Sequence, residues 1–287
     1  MQVKALACEL PAATGLPLSR FSRQDLVREI TQRGIVARIS GTTVWRWLNE
    51  DAIRPWQHRS WIFPRDPQFE TKAVRVLDLY QGRWQGQPLG TDEFVISADE
   101  KTSIQARLRL HPASPPQPHQ SMRVEFEYER GGALAYLAAW DVHRAKVFGR
   151  CESTTGRVPF DRLVEQVMTQ TPYSQARRVF WIVDNGSSHR GQAACERLQR
   201  AYANLVLVHL PVHASWLNQV EIYFSVVQRK VLTPNEFPSL PAVAQRLLDF
   251  QGYYEQIARP FEWKFTRADL QKLIAKLQPP PALALAA

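Results

Sequence analysis

The chain has 287 residues, 45% of them hydrophobic and 22% charged, ordinary proportions for globular protein with room for about two domains. Its 36 Lys and Arg against 27 Asp and Glu leave a net charge of +9, which suits a polyanionic partner. A membrane span and a disulfide framework are both argued against: the longest apolar run, Ala133 to Trp140, is too short for a bilayer, and Cys8, Cys151 and Cys195 are scattered without a CxxC.

Residues 1–19, with Pro11 and Pro17, read as a loose lead-in. The short apolar stretch there is interrupted by Glu9 and makes no signal peptide, so the expected location is the cytoplasm. Ser22 starts a helix, with Asp25 three residues on as in a capping box, Leu26, Val27 and Ile30 as its apolar face, and Gly34 as its stop. A second helix starts at Ser40 and runs through Thr42 to Leu48, ending before Pro55. Two short helices joined by a Gly-containing turn suggest a helix-turn-helix, the alternative being any small helical bundle. Between Arg20 and Arg65 there are nine Arg, no Lys and four acids, and Arg is the better phosphate fork. Thr42, Thr43, Arg46, Arg54 and Arg59 are therefore the candidate DNA-binding residues, and residues 1–63 the candidate DNA-binding region. Trp45, Trp47, Trp56 and Trp61 read as small-domain core.

Pro55, Pro64 and Pro67 punctuate a linker, in which Phe69, Ala73, Val76, Leu77 and Tyr80 keep helical spacing. Gly82, Gly86, Pro88 and Gly90 close that helix, so 64–90 reads as a linker with a helix and 91–278 as the main domain. Strand-like runs follow at 94–98, 123–128, 134–141, 145–148, 179–183 and 205–208, with Gly131-Gly132 as a hairpin turn before the third. Helical patterns cover about 160–169, 192–203, 216–231 and 241–257. The expected fold class is α/β, a mixed sheet with flanking helices, preceded by a small all-α domain. The tail 279–287, opening on three prolines, is expected to be disordered.

The chemistry is carried by Asp99, Asp184 and Glu221. Phe94 to Ala98 leads into Asp99, and Val179 to Val183 leads into Asp184; continuous apolar runs imply strands covered on both faces. If those strands are parallel neighbours, both carboxylates point into one crevice at the strands' carboxyl ends. Glu221 borders the apolar stripe of Leu217, Val220, Phe224 and Val227, where a carboxylate needs a partner or a metal. Like charges brought together this way suit Mg²⁺, a hard cation that takes oxygen ligands. Each residue also has a structural reading: Asp184-Asn185-Gly186 as a plain turn, Asp99 paired with Lys101, Glu221 as an exposed helix residue.

Ser97-Ala98-Asp99-Glu100-Lys101-Thr102, Val183-Asp184-Asn185 with His189, and His213 through Glu221 resemble the three acidic motifs of DDE transposases. The resemblance is to the bacterial insertion-sequence group called IS six-thirty, related to the Tc/mariner elements. It spans about residues 40–266 and includes Arg259-Pro260-Phe261-Glu262-Trp263. The interval from Asp184 to Glu221, 221 − 184 = 37 positions, is compatible with that group. The resemblance implies an RNase H-like fold, with Asp99, Asp184 and Glu221 as catalytic ligands of Mg²⁺, or of Mn²⁺ in its place. It implies Asn185, His189 and Asn218 as supporting residues. Double-stranded DNA, as transposon ends and as target, would be the partner, cut at terminal inverted repeats and joined at TA sites by a homodimer. A bacterial, nucleoid-associated enzyme of DNA transposition, recombination and integration is what it suggests. Such transposases commonly carry two helix-turn-helix units and one is visible here, which implies a shortened N-terminus.

Two other functions stay open on the sequence: a non-catalytic DNA-binding regulator derived from a transposase, and another RNase H-like nuclease. Further chemistry is poorly supported. Ser187-Ser188-His189 lacks the G-x-S-x-G elbow of a hydrolase, Pro211 breaks any helix shared by His209 and His213 as zinc ligands, and no nucleotide-binding Gly-rich loop occurs.

Overall fold

The computed structural model describes residues 1–58 and 64–277, which fall in two compact units divided between Phe63 and Pro64. Arg59, Trp61 and the tail 279–287 lie outside the described residues.

The first unit is helical. Helix α1 (Gln2–Ala7) buries Val3, Leu6 and Ala7, so the stretch expected to be a loose lead-in is part of the core. Its signal, an apolar i, i+3, i+4 stripe, is only six residues long, and tertiary packing rather than propensity makes so short a helix. Helix α2 (Arg23–Gln32) opens on the expected capping box: the Ser22 hydroxyl accepts from the Asp25 N–H and the Asp25 carboxylate accepts from the Ser22 N–H. Helix α3 (Gly41–Glu50) is capped by Ser40, and Leu26, Ile30, Val44 and Leu48 are fully buried between the helices. The outer side of α3 carries Thr42, Trp45 and Arg46, all exposed, while Thr43 is half-buried beside the Ser40 hydroxyl. Trp45 is thus not core; Trp47 and Trp56 do pack against it. Arg54 is exposed beyond the end of α3.

The second unit begins with helix α4 (Phe69–Tyr80), expected in a linker. Its Phe69, Ala73, Val76, Leu77 and Leu79 are buried in the main core, which is why it belongs to this unit. A two-residue ribbon, β1 (Arg83–Trp84) with β2 (Gln87–Pro88), leads into the sheet. The sheet has five strands: β3 (Glu93–Leu108), β4 (Glu129–Asp141), β5 (Lys146–Glu152), β6 (Arg178–Val183) and β7 (Leu205–His209), in the order β5-β4-β3-β6-β7. β3, β4 and β5 pair antiparallel, whereas β6 and β7 continue parallel to β3.

Three expectations change here. β3 does not stop at Ala98: its ladder with β6 ends at Ser97, but its ladder with β4 runs on to Leu108. Residues 123–128 are not a strand; beyond the Leu108–Glu129 pair the chain makes only isolated bridges, and Phe126 is 93% exposed. Gly131 and Gly132 lie inside β4, opposite Ala106, where the register slips by one residue. A Cβ on Gly131 would stand 2.3 Å from a Leu108 methyl, and Gly132 has φ +93°, so the pair serves a bulge rather than a turn.

Alternation along the strands divides the core in two. Val95, Phe180, Ile182, Tyr136 and Trp140 face α4, α7 (Val220–Lys230), α8 (Leu240–Glu255) and α9 (Arg267–Leu277). Ile96, Ala98, Trp181, Val183 and Leu137 face α5 (Arg157–Met168) and α6 (Gln192–Ala201). Helix α9 was not anticipated, although its start carries a legible signal: Thr266 and Asp269 exchange side-chain and backbone bonds as a capping box does. Among the described residues no helix is long and apolar enough to cross a membrane.

Candidate active site

The parallel pairing of β3 with β6 matches Ile96 with Trp181 and Ser97 with Ile182. Two residues further along each strand, that register brings Asp99 and Asp184 level. Alternation then decides the face. Val95 and Ser97 on β3, and Phe180 and Ile182 on β6, precede the two acids at even spacing, so both carboxylates emerge on the side covered by α7. This is the neighbouring-strand arrangement that the apolar runs suggested, with the difference that Asp99 lies mid-strand. It marks the point where β6 ends and β3 continues with β4 alone.

The segment expected as one helix from Trp216 is broken. Ser215–Leu217 make a 3₁₀ turn, Asn218 is extended, and α7 starts at Val220. Glu221 therefore sits in the first turn of α7, where the helix dipole favours an anion. Asn218, only 1% exposed, causes the break by bonding to β3 instead of continuing the helix. Its amide nitrogen donates to the Ala98 carbonyl at 3.0 Å and to the Asp99 carboxylate at 3.3 Å, and its oxygen accepts from the Ser97 hydroxyl. Ser97 in turn accepts from the Val220 N–H at 2.9 Å, and the Tyr80 hydroxyl accepts from the Gln219 N–H at 3.2 Å while donating to the Leu217 carbonyl at 2.6 Å. The start of α7 is thus tied to β3 and α4 by side chains, and Glu221 is held opposite Asp99 and Asp184.

The family model of the DDE superfamily endonucleases matches residues 95–244, which contain the three carboxylates, Ser97 and Asn218. The chain belongs to the DDE superfamily of endonucleases. Among solved structures, the Mos1 transposase paired-end complex with left transposon end aligns at a TM-score of 0.54 and 12% identity, covering 96% of this chain and 77% of that one. The Mos1 strand transfer complex aligns at 0.53 and 14%, covering 97% and 78%. The Mos1 mariner paired-end complex with Mn aligns at 0.50 and 14%, covering 91% and 78%. At such identity the likeness is one of fold, and the fold is the RNase H-like one. No curated protein sequence matches the chain.

In this DDE endonuclease the three carboxylates feel one another. Burial, opposed by the Glu100 N–H, together with the charges of Asp184 and Glu221 pushes the Asp99 carboxyl up to about 7. Asp184 goes the other way: the His189 ring nitrogen at 2.6 Å and the Gly186 N–H at 2.8 Å hold it below the ordinary carboxylate range. Asp184 thus ionises first, and its charge then opposes ionisation of Asp99. Glu221 is raised by burial, against the pull of Lys101. No ion pair joins Asp99 to Lys101 among the described residues, so that structural reading of Asp99 has no support.

The remaining expected residues fall beside this rim. His189 is 1% exposed, packed on the Phe160 ring at 4.7 Å; its Nδ1 lies 2.9 Å from the Ser188 hydroxyl. Asn185 reaches the Leu210 carbonyl at 2.9 Å, pinning the loop after β6 to the end of β7. His209 Nε2 meets the His189 carbonyl, so His189 and His209 are not paired as metal ligands. Sequence reasoning missed Ser97 and Tyr80, which hold the start of α7. A polar residue inside an otherwise apolar strand run was the available signal for Ser97.

As the side chains stand, no group of three or more His, Cys, Asp or Glu among the described residues closes round an ion. The donor set nevertheless fits a divalent cation in kind. It offers hard carboxylate oxygens on one rim, with Asp99 and Glu221 carrying no cationic partner in contact and Asp99 destabilised as an anion by its neighbours.

Proposed function

We propose that this endonuclease is a transposase of the Tc/mariner type, close to the bacterial IS six-thirty group, cutting DNA at transposon ends and joining them to target DNA. The observation that carries the reading is the β3–β6 register: it sets Asp99 and Asp184 level on the face where α7 presents Glu221. These three would hold Mg²⁺, or Mn²⁺ in its place. When bound, such ions would supply Lewis-acid activation of the attacking oxygen and charge stabilisation of the leaving oxygen.

The chain's own residues supply order. Asn218 fixes one Asp99 oxygen, and Ser97 holds Asn218 in turn. The His189 ring lies between the Ser188 hydroxyl and the Asp184 carboxylate and orients one Asp184 oxygen, to which the Gly186 N–H also donates. Water attacks the phosphodiester at the transposon end, and the P–O bond to the 3′ oxygen breaks. The freed 3′-hydroxyl then attacks a target phosphodiester, expected at TA, exchanging one such bond for another without ATP. The first unit, with Thr42, Arg46 and Arg54 outward on and after α3, would bind the ends as a helix-turn-helix, and a homodimer would pair two of them.

The purified chain, given Mg²⁺ or Mn²⁺ and DNA bearing its flanking inverted repeats, is expected to cleave at the repeat ends and join them to a second duplex. Cleavage without joining would make it another RNase H-like nuclease. DNA binding without cleavage in either metal would make it a non-catalytic derivative. End binding is expected to weaken on Arg46→Ala, with the salt dependence of the binding constant falling by about one phosphate contact. Unchanged affinity at moderate salt would remove α3 from the interface.

A further inference from the structure

A trough of about 890 Å³ opens beside the acidic rim. One wall is the outer half of β3, with Lys101 and Arg107, and Arg109 just past its end; another is the end of α7, with Gln228; the third is the segment bearing Glu125, Phe126 and Tyr128. Lys101 lies two residues beyond Asp99 on one strand, about 7 Å along it, and its charge already acts on Glu221. Gln228 is seven residues after Glu221, about 10 Å along one helix. The trough therefore begins where the catalytic rim ends.

Its lining has the composition of a nucleic-acid groove. Three cations face one acid, and that acid, Glu125, is occupied by the His111 backbone N–H and ring. The Arg107 guanidinium lies 4.6 Å from the Tyr128 ring centre and that of Arg109 lies 5.7 Å away, so Tyr128 anchors both at the wall. Arg109 is further fixed by the Glu125 and Asn235 carbonyls, whereas the buried Arg107 Nε has no partner at all. Phe126 is 93% exposed and lines the same trough. A large aromatic ring in solvent beside held guanidinium groups offers a free π-face where phosphates would be neutralised.

We propose that this trough takes an unpaired segment of the DNA strand that leaves the acidic rim, with a base stacked on Phe126 and its phosphates at Arg107 and Lys101. The proposal rests on the DNA-cutting reading above and adds a strand path to it. A paired base cannot reach the Phe126 face, so the trough should prefer single strands.

The test uses the full chain in EDTA, with oligothymidylate carrying 5-iodouracil and a duplex of equal length as probes. Photocrosslinks are expected in the peptide containing Phe126. Phe126→Ala, at a position too exposed to unfold the protein, should weaken single-strand binding about tenfold and leave duplex binding unchanged. Arg107→Gln should lower the salt dependence by about one phosphate. Crosslinks confined to other peptides, unchanged single-strand affinity in Phe126→Ala, or an equal loss on duplex would each overturn the proposal. Because crosslinking is read without metal, a wild-type chain that crosslinks at Phe126 in EDTA but does not cleave once Mg²⁺ or Mn²⁺ is added would sink the catalytic reading and leave the trough standing. Cleavage without that crosslink would do the reverse.

Discussion

Asp99→Asn is expected to lower metal-dependent DNA cleavage by more than ~100-fold, beyond what loss of an outer partner of a metal site costs, and at the same time to stabilise the metal-free protein at pH 8. The two effects share one cause. The Asp99 carboxyl is pushed up to about 7 from 3.8, first by burial and then by the charges of Asp184 and Glu221. A carboxyl raised in the folded state contributes stability that is fully present below 3.8 and is lost as pH rises through about 7. Above that window the metal-free wild type carries an unneutralised anion, at a cost on the order of 2–4 kcal/mol. Asn removes the anion, so thermal melts in EDTA should show the variant more stable at pH 8 and little changed at pH 4. Adding Mg²⁺ or Mn²⁺ should raise the wild-type melting temperature more at pH 8 than at pH 5, where protons compete, and should do little for the variant. Asp184→Ala and Glu221→Ala are expected to lose cleavage equally. The catalytic assignment is falsified if cleavage by pure protein survives all three changes.

Asn218→Ala is expected to destabilise the fold by about 2–4 kcal/mol and to slow cleavage by ~10–100-fold. The side chain is buried and joins Ser97, the Ala98 carbonyl and Asp99. Its removal leaves a buried hydroxyl short of a partner, frees one Asp99 oxygen, and loosens the tie between β3 and the start of α7. Denaturant melts measure the first effect. The second has a readout that mere instability lacks: at a temperature where the variant is fully folded, the metal concentration for half-maximal cleavage should rise. A variant with wild-type metal dependence and only lowered stability would reduce Asn218 to a structural role.

Much of the site could be read from residue order. An apolar run ending in an acid, twice, and an acid beside a helical apolar stripe are local patterns, and local patterns survive in one dimension. The capping boxes at Ser22 and Thr266 belong to the same class, since each is complete within four residues. Strand ends were less legible. The continuation of β3 past Asp99 depends on β4, a partner some thirty residues away in sequence, and the Gly131-Gly132 pair looks like a turn until Leu108 is placed against it. Residues 123–128 carry strand-forming side chains but find no strand to pair with.

By itself the sequence determined which groups are the candidates for the chemistry, Asp99, Asp184 and Glu221, and that an Arg-rich helical segment precedes them, because these are matters of residue type and short-range spacing. Only the tertiary structure decided that the β3–β6 register sets two of those acids level, that Ser97, Tyr80 and Asn218 hold the start of α7 against them, and that Arg107, Phe126 and Tyr128 line a trough alongside. Those relations join residues that stand from about twenty to more than a hundred positions apart, and hydrogen bonds across such separations are chosen by packing, which leaves no local trace in the chain.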